Sequence, residues 1–322
     1  MDLAEAVLAG DRLGLARLLT QVENDTPTGR AVLDRLFPRT GRAHLIGITG
    51  SPGTGKSSLV NQLAQVFRRP VEGFDPQRVA ILAIDPTSPF SGGAILGDRV
   101  RMRDLAGDPG IFIRSMASRG AVGGLARTTA AAVNVLDAAG FDLVLIETVG
   151  AGQSEVEITR LAHTTIVVEA PGMGDDIQAI KAGILEIADI LVVNKADRAG
   201  VENTERALQA MLEMGHPAHK GRGPAAESDE MWLPPVLRSI ASSGDGAQEI
   251  AAAIRAHAEY LKRSGEWRRR EYERLQNVLE MLIQQALVAR WRAETNEEQI
   301  EKMVARLCDR TTTPYAAMAE LI

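Results

Sequence analysis

The sequence predicts an α/β fold: a doubly wound, mostly parallel sheet covered by helices on both faces. Three observations predict it. Short runs of Val, Ile and Leu alternate with segments of helical periodicity over about two hundred residues. Most of these runs are apolar throughout, as in strands buried on both faces. A glycine-rich turn joins the first run to the helix that follows it, a connection typical of nucleotide-binding α/β proteins.

The predicted strands are short apolar runs that end at polar residues, Gly or Pro. They cover 44–49, 79–84, 111–114, 142–147, 164–169, 189–194 and 235–239. The predicted helices of this region cover 56–67, 98–106, 125–139, 155–161, 177–187, 201–214 and 245–262. Residues 216–230 have no apolar periodicity, so we expect a surface loop there.

Helical segments flank the predicted sheet domain, 41–264. Residues 1–40 are an N-terminal helical segment, with one amphipathic helix expected over 2–20 and a shorter one over 30–37. Residues 265–322 form an all-α C-terminal extension, with helices predicted over 266–294, 296–308 and 314–322. This extension either packs on its own chain or acts as a dimerisation arm between two chains.

Composition is that of a globular protein and excludes several functional classes. Of the 322 residues, 45% are hydrophobic and 24% are charged. The net charge of −6 and the pI near 5.5 argue against nucleic-acid binding driven by overall charge. A single cysteine, Cys308, favours a reducing compartment. The start lacks a basic signal-peptide region and no apolar run is long enough to span a bilayer, so we expect a cytoplasmic protein without a membrane partner.

Residues 50–57 match a complete phosphate-loop pattern, Gly-Ser-Pro-Gly-Thr-Gly-Lys-Ser. The predicted strand before it and helix after it are the context that confirms this motif. Lys56 is expected to reach the β- and γ-phosphates as a catalytic residue, and the Ser57 hydroxyl to ligate Mg²⁺. The predicted phosphate-binding residues are Gly50, Ser51, Pro52, Gly53, Thr54, Gly55, Lys56, Ser57 and Ser58.

An Asn-Lys-x-Asp motif follows the apolar run 190–193 and indicates guanine specificity. Asp197 can accept hydrogen bonds from guanine N1–H and its 2-amino group, whereas adenine has no donor at either place. Asn194 can hold the loop beside the base, and the Lys195 stem can cover it. Together with the phosphate loop, this motif predicts that GTP and GDP are the ligands, and that 41–264 is a GTPase domain.

The switch sequence Glu147-Thr148-Val149-Gly150 begins at the last residue of the predicted strand 142–147. It has Glu where such switches usually carry Asp. Glu147 is expected to hold Mg²⁺ through a water, and the Gly150 N–H to meet the γ-phosphate; both are predicted catalytic residues. A water-orienting Gln usually follows this Gly. Here Ala151 follows, and the nearest Gln is Gln153, so we expect slow intrinsic hydrolysis that a partner accelerates.

Two more carboxylates are candidate Mg²⁺ ligands. Asp85 ends the predicted strand 79–84, where acidic groups lie beside the phosphate loop. Asp98 follows a glycine-rich segment, and a cap of the helix that starts at Arg99 is an alternative role for it.

Five motifs together resemble the MeaB/ArgK/MMAA family of SIMIBI-class P-loop GTPases. They are IGITGSPG (46–53), AIDPTS (83–88), GGAILGDR (92–99), ETVGAGQSE (147–155) and NKAD (194–197). The resemblance covers roughly residues 1–262. It implies a homodimer that couples GTP hydrolysis to loading and protecting the B12 cofactor of an adenosylcobalamin-dependent acyl-CoA mutase, such as methylmalonyl-CoA mutase.

The same resemblance implies a third switch over 172–183, in which Asp175, Gln178 and Lys181 relay the nucleotide state to the mutase, with Gln153 as a further switch residue. It also implies that the loop 240–242 contacts guanine. That loop reads Ile240, Ala241, Ser242 instead of the usual Ser-Ala pair, and the Ala241 N–H is the expected donor to guanine O6.

Three other functions compete with this reading. A metal-delivering GTPase of the same class needs grouped His or Cys ligands, and only His216 and His219 are close in sequence. A small-molecule kinase is disfavoured by the guanine motif. A scaffold that binds nucleotide without turnover stays an alternative, because the water-positioning Gln is displaced to Gln153.

Overall fold

The structure is a computed structural model that describes residues 2–70, 75–86, 102–105, 107–118, 124–148, 160–172, 187–215 and 231–322. The chain divides into two compact units, Met1–Arg274 and Leu275–Ile322. The predicted domain boundaries at 40/41 and 264/265 stay a prediction.

The strands of the first unit form one parallel sheet of seven strands in the described part of the chain. They are β1 (His44–Thr49), β2 (Val79–Pro86), β3 (Ile111–Ser118), β4 (Leu143–Thr148), β5 (Thr164–Glu169), β6 (Ile190–Asn194) and β7 (Val236–Ser239). Their order across the sheet is β3-β2-β4-β1-β5-β6-β7, and each neighbouring pair is parallel. The predicted sheet is therefore confirmed.

Helices cover both faces of this sheet. They are α1 (Leu3–Leu8), α2 (Arg12–Glu23), α3 (Pro27–Leu36), α4 (Lys56–Phe67), α5 (Gly124–Ala138), α6 (Val201–Gly215), α7 (Ala247–Ser264) and the start of α8 (Glu266–Glu294). One core joins α1, α2, α3 and α5 to side chains such as Leu45 and Val144. The opposite core joins α4 and α7 to Ile46 and Leu145. Successive strand residues thus enter opposite cores, as the pleat requires.

One helix prediction was wrong. Residues 2–20 form two helices, α1 and α2, because the chain turns at Gly10 with φ +81° and the Asp11 carboxylate accepts from the Leu13 N–H to cap a new helix at 3.0 Å. Of predicted helix 98–106, the described part contains only a 3₁₀ turn, Arg103–Leu105. The body of predicted helices 155–161 and 177–187, and the loop 216–230, lie outside the described residues.

The strand order places a ligand crevice beside β1. The chain leaves β1 for β2 on one side, and it later passes from β4 to β5 on the other side of β1. In open parallel sheets, ligands bind at the carboxyl ends of the strands where the winding reverses in this way. The loops after β1 and β4 therefore meet at the predicted nucleotide site.

Buried histidines lie at the opposite, amino ends of the strands. His163 Nδ1 accepts from the Leu45 N–H at 3.2 Å, so its Nε2 carries the proton and donates to Glu271 Oε2 at 3.2 Å. Burial lowers the pKa of His163 despite the bond to Glu271. This histidine is therefore neutral in the native protein near neutral pH.

A hydroxyl connects the other two buried histidines. The Thr164 hydroxyl lies 2.6 Å from His44 Nε2 and 2.9 Å from His257 Nδ1. Burial lowers the pKa of His44 well below its usual value, and the nearby His163 and His257 add to the effect. His257 Nε2 lies 3.3 Å from Asp189 Oδ1, so the polar chain ends on a carboxylate.

Asp189 and Glu271 join the first turns of α8 to this end of the sheet. Arg270 donates to both oxygens of Asp189, at 2.7 and 2.8 Å. Burial opposes ionisation, but the bonds from His257 and Arg270 outweigh it and lower the pKa of Asp189 to about 2. Burial likewise opposes ionisation of Glu271, and Arg274 and His163 outweigh it and lower its pKa to about 2.

The second unit is a compact set of helices. It holds the remainder of α8, α9 (Glu297–Cys308) and α10 (Pro314–Leu321). The Trp291 Nε1–H donates to Leu321 O at 2.6 Å, and Arg306 pairs with Glu320 at 2.6 Å. Within the described ranges of both units, no helix is long and apolar enough to cross a membrane.

The buried histidines predict that acid destabilises the protein below about pH 6.5. Because the pKa values of His44 and His163 are lower in the folded state, the unfolded chain binds more protons below the unperturbed value of about 6.5. The free energy of unfolding should therefore fall as the pH is lowered from about 7 to 5, by up to about 1.4 kcal/mol per pH unit for each histidine. Urea unfolding at a series of pH values measures this slope.

A matched variant separates the share of one histidine. His163→Gln keeps an acceptor for the Leu45 N–H and a donor for Glu271 but cannot titrate, so its slope between pH 7 and 5 should be shallower. Equal slopes in both proteins would contradict the assignment. A further loss below about pH 4 is expected in both, because Asp189 and Glu271 have lowered pKa values and their contribution disappears as they protonate.

Candidate nucleotide-binding site

The phosphate loop spans residues 50–57 between β1 and α4, and two of its glycines cannot be replaced without a clash. Gly50 has φ +130°, and a Cβ there would lie 2.1 Å from Val168 O of β5. Gly55 has φ +95°, and its Cβ would lie 2.3 Å from Asn194 Nδ2. The loop is therefore packed tightly against the strands on its far side.

Gly55 also serves as the N-cap of α4 without a side chain to accept from the first turn. The first N–H groups of the helix are thus available to a ligand phosphate, and the helix dipole favours negative charge there. At the tip of the loop, Pro52 and Gly53 are exposed, as is Ser58 in the first turn of α4. The buried Thr54 hydroxyl donates to Ser51 O at 2.9 Å and stabilises the turn.

Lys56 is buried and directed into the loop. Only 5% of the residue is exposed. Its Nζ donates to Gly50 O at 2.7 Å and to Ser51 O at 2.9 Å. These bonds hold the ammonium within the curve of the backbone, where a phosphate chain would replace carbonyl oxygens with stronger acceptors.

Ser57 and Glu147 bring two oxygen ligands together. The Ser57 hydroxyl donates to Glu147 Oε1 at 2.5 Å, and Glu147 is 5% exposed at the carboxyl end of β4. A hydroxyl and a carboxylate are the hard oxygen donors that Mg²⁺ prefers beside nucleotide phosphates. The pair therefore fits the predicted Mg²⁺ site.

Asn194 joins three loops through one side-chain amide. Its Nδ2 donates to Thr54 O at 2.8 Å. Its Oδ1 accepts from the Ser239 hydroxyl at 3.1 Å and from the Ala241 N–H at 3.0 Å. The residue is buried and all of these bonds lie inside the protein. Asn194 therefore fixes the loop after β6 to the phosphate loop and to the loop after β7.

Lys195 makes a second connection to the phosphate loop. It adopts a left-handed backbone, with φ +58°, and its Nζ donates to Gly53 O at 2.6 Å. Asp197 follows as an exposed residue. Its carboxylate is available to a base that lies over the Lys195 stem.

The loop 240–242 closes this part of the site. Ile240 pairs with Asp245 in an isolated bridge, and Ala241 is buried while Ser242 is exposed. The Ala241 N–H, predicted to donate to guanine O6, donates to Asn194 Oδ1 at 3.0 Å. A guanine contact at this N–H would have to share the donor with Asn194.

Several predicted site residues cannot be placed. Asp85 lies in β2, two positions beyond Ala83, which is paired with Glu147, but its side chain is outside the described residues. The other predicted residues outside the described ranges are Asp98, Gly150, Gln153, Asp175, Gln178 and Lys181.

Sequence reasoning missed two contributors. Ser239 donates to Asn194, and the only signal for it was its position at the end of the last predicted strand. The Thr148 hydroxyl, next to Glu147, lies 3.3 Å from the Thr49 hydroxyl at the start of the phosphate loop. Both threonines are fully buried, which connects the ends of β1 and β4.

A metal-delivery site has little support among these residues. Across the described ranges, no group of three His, Cys, Asp or Glu side chains is placed to hold a metal ion. The close pair His216 and His219 lies outside those ranges.

A parallel sheet with a phosphate loop after its central strand and an Asn-Lys-x-Asp loop after β6 defines the P-loop GTPase class. Comparison with known families is more specific. The family model "Methylmalonyl Co-A mutase-associated GTPase MeaB" matches residues 15–296, and the chain belongs to this family. The predicted family resemblance is confirmed.

Relatives extend over most of the chain. A putative GTPase of Pyrococcus abyssi is 42% identical over 316 residues, 98% of this chain and 94% of that protein. GTPase ArgK of Escherichia coli is 37% identical and covers 92% of this chain and 83% of its own. The mitochondrial methylmalonic aciduria type A homolog of Caenorhabditis elegans is 32% identical, with 85% and 69% covered.

A solved structure confirms the predicted SIMIBI-type fold. The crystal structure of a LAO/AO transport system kinase matches with a TM-score of 0.70 at 27% identity, covering 99% of this chain and 95% of that one. Relatives named GTPase over nearly the full length support guanine-nucleotide binding and GTPase activity.

The contact between Gly55 and Asn194 predicts the effect of adding one methyl group. Gly55→Ala should weaken binding of a fluorescent GDP analogue on the order of tenfold, because the Cβ displaces the Asn194 amide in addition to the backbone strain. Gly41→Ala is the matched control, since Gly41 has φ +90° with nothing within 4 Å of its Cβ. Equal affinities in the two variants would show that the amide contact does not matter.

The exposed carboxylate of Asp197 predicts base specificity. Asp197→Asn should lower GTP affinity and raise XTP affinity, because xanthine presents an acceptor where guanine presents its 2-amino group. Competition with a fluorescent nucleotide measures both. Inorganic pyrophosphate should bind both proteins alike, since the phosphate loop is untouched. Unchanged GTP affinity with no gain for XTP would refute the guanine assignment.

Proposed function

We propose that this protein is a GTP-hydrolysing chaperone of an adenosylcobalamin-dependent acyl-CoA mutase such as methylmalonyl-CoA mutase. It gates the loading of the B12 cofactor and protects it. The observation that carries the proposal is family membership over residues 15–296, in a family named for association with that mutase. The Caenorhabditis elegans relative named for methylmalonic aciduria supports the same role.

The chain's own residues account for GTP binding and charge stabilisation. Backbone N–H groups of the phosphate loop and Lys56 surround the phosphates, and Gly150 is assigned the N–H that meets the γ-phosphate. Ser57, Glu147, Asp85 and Asp98 are the proposed Mg²⁺ ligands. Mg²⁺ bound there neutralises the charge that develops on the phosphate oxygens. Phosphoryl transfer needs such positioning and charge more than covalent chemistry from the protein.

The intrinsic rate should be low because the water-orienting residue is displaced. Ala151 follows Gly150, and Gln153 is the nearest glutamine. Without a side chain to orient the attacking water, the reaction loses the contribution that a positioned group supplies. We infer that mutase binding supplies or reorients this group, so that hydrolysis is coupled to the chaperone cycle.

The proposed relay to the mutase begins directly after β5. This strand is hydrogen-bonded to β1, with Thr49 opposite Val167, so its end lies next to the phosphate loop. The segment 172–183, with Asp175, Gln178 and Lys181, follows.

Exposed apolar side chains in the second unit support the proposal that the protein is a homodimer. Its part of α8 exposes apolar side chains at helical spacing, with Leu279 58%, Ile283 49% and Leu287 62% exposed. Large exposed apolar patches are typical of interaction sites. We assign this stripe to pairing with a second copy of the chain, within a cytoplasmic dimer.

The test is GTP hydrolysis with and without a purified adenosylcobalamin-dependent mutase. We expect slow release of phosphate by the protein alone and an increase of at least tenfold with the mutase. Lys56→Ala should abolish both, which assigns turnover to the phosphate loop. A rate that the mutase does not change would refute the chaperone proposal while leaving the GTPase assignment intact.

Two variants separate the relay from the chemistry. Gln178→Ala and Lys181→Ala should leave basal hydrolysis nearly unchanged and remove the stimulation by the mutase. Arg198→Ala, an exposed residue in the loop after β6, is the control and should be stimulated normally. Full stimulation of both relay variants would place the coupling elsewhere.

A further inference from the structure

The side-chain oxygen of Asn194 accepts from two donors at once. The Ser239 hydroxyl lies 3.1 Å from Oδ1, and the Ala241 N–H donates to the same atom at 3.0 Å. The network fixes the orientation of the amide, because Thr54 O, at 2.8 Å from Nδ2, can only accept and the Ala241 N–H can only donate. Ser239 is therefore the donor in its bond to Asn194.

A bound guanine would affect these two donors differently. The Ala241 N–H is the group predicted to meet guanine O6. Ser239 is only 2% exposed and lies opposite Asn194 in the register of β6 and β7. Its carbonyl also accepts from the Ala196 N–H at 3.0 Å. The Ser239 hydroxyl is thus shielded from a ligand and remains available to Asn194.

The loop that carries Ala241 is held by bonds within itself. The Ile240 N–H donates to Asp245 O at 3.0 Å, and Ile240 O accepts from the Ser243 N–H at 3.0 Å. The Ser243 hydroxyl donates to Asp245 Oδ2 at 2.8 Å. The Ala241 N–H is therefore positioned before a nucleotide arrives, so a change of its acceptor needs little movement of the backbone.

The hydrogen bonds of Asn194 Oδ1 decide the cost of such a change. If the Ala241 N–H moved to guanine O6, the Ser239 hydroxyl would still satisfy the buried oxygen. Without the Ser239 hydroxyl, the same move would take away both of these donors. A buried acceptor that loses its hydrogen bonds carries its desolvation cost without compensation.

We propose that Ser239 is a positioning residue for guanine recognition. It holds Asn194 Oδ1 so that the Ala241 N–H can exchange from that oxygen to guanine O6. The proposal rests on the guanine assignment made above, and it adds a residue that does not itself touch the nucleotide. Ser239 thereby favours bases that carry O6, since only these draw the N–H away from Asn194.

The affinities of Ser239→Ala for GDP, IDP and 6-thio-GDP test this role. Hypoxanthine keeps O6 and lacks the 2-amino group, whereas 6-thioguanine has sulfur, a weak acceptor, in place of O6. We expect the affinities for GDP and IDP to fall on the order of tenfold. The affinity for 6-thio-GDP should change little, because its base leaves the Ala241 N–H on Asn194. Competition with a fluorescent GDP analogue measures all three.

Two further variants separate this role from a general loosening of the loop. Ser243→Ala is the matched control, because its hydroxyl bonds Ile240 O and Asp245 within the loop instead of Asn194. It should keep the wild-type preference for GDP over 6-thio-GDP. Ser239→Thr keeps a hydroxyl and should restore most of the GDP affinity. An equal loss for all three nucleotides in Ser239→Ala, or an unchanged GDP affinity, overturns the proposal.

The wild-type protein gives a second test that needs no change at Ser239. The Ala241 amide resonance, assigned with Ala241→Gly, should differ between the GDP and 6-thio-GDP complexes, whose other contacts are alike. Equal resonances in the two complexes overturn the exchange. A wild-type protein that binds GDP and 6-thio-GDP equally well refutes the O6 contact itself. A clear preference for GDP that Ser239→Ala retains in full refutes only the role of Ser239.

Discussion

The amide of Asn194 is the interaction on which the site depends. It is buried, and it satisfies donor and acceptor at once by bonding Thr54 on one side and Ser239 and Ala241 on the other. These partners lie 140 and 45 to 47 residues away along the chain. A buried amide that lost one partner would keep the desolvation cost without the bond. The base-binding and phosphate-binding loops are therefore held in register before any nucleotide arrives, which lowers the ordering cost of binding.

The side chains predicted to bind the phosphates and Mg²⁺ bond to one another or to their own loop. Lys56 bonds the carbonyls of its own loop, and Ser57 bonds Glu147. A nucleotide and Mg²⁺ would replace these contacts with stronger, charge-assisted ones. All of the Asn194 bonds join groups inside the protein, so we expect those to Thr54 and Ser239 to stay in place. We therefore expect nucleotide binding to rearrange the side chains of Lys56, Ser57 and Glu147 more than the loops that Asn194 joins.

The strands and the phosphate loop could be predicted from local patterns in the sequence. The strands were found because each is a continuous apolar run between polar ends, and the phosphate loop because its glycines occur at fixed spacing. The break in 2–20 was missed because the apolar spacing continues through Gly10, and the Asp11 cap outweighs that periodicity. Ser239 and the Thr49–Thr148 contact could not be predicted, since each depends on residues from distant strands that only the folded sheet brings together. The cluster of His163, Asp189 and Glu271 was missed for the same reason.

That cluster fixes the first turns of α8 against the sheet. Buried ion pairs add little net stability, because desolvation offsets most of their attraction. They do destabilise other positions of the helix on the sheet. Arg270 meets both oxygens of Asp189, and Glu271 meets both His163 and Arg274. A shift of the helix by one residue would separate Arg270 from Asp189 and Glu271 from His163, and removing one partner of a buried ion pair is destabilising. Hydrophobic contacts alone tolerate such a shift, since apolar side chains are interchangeable at similar volume. The ionic contacts therefore specify the register of the first turns of α8 on the sheet.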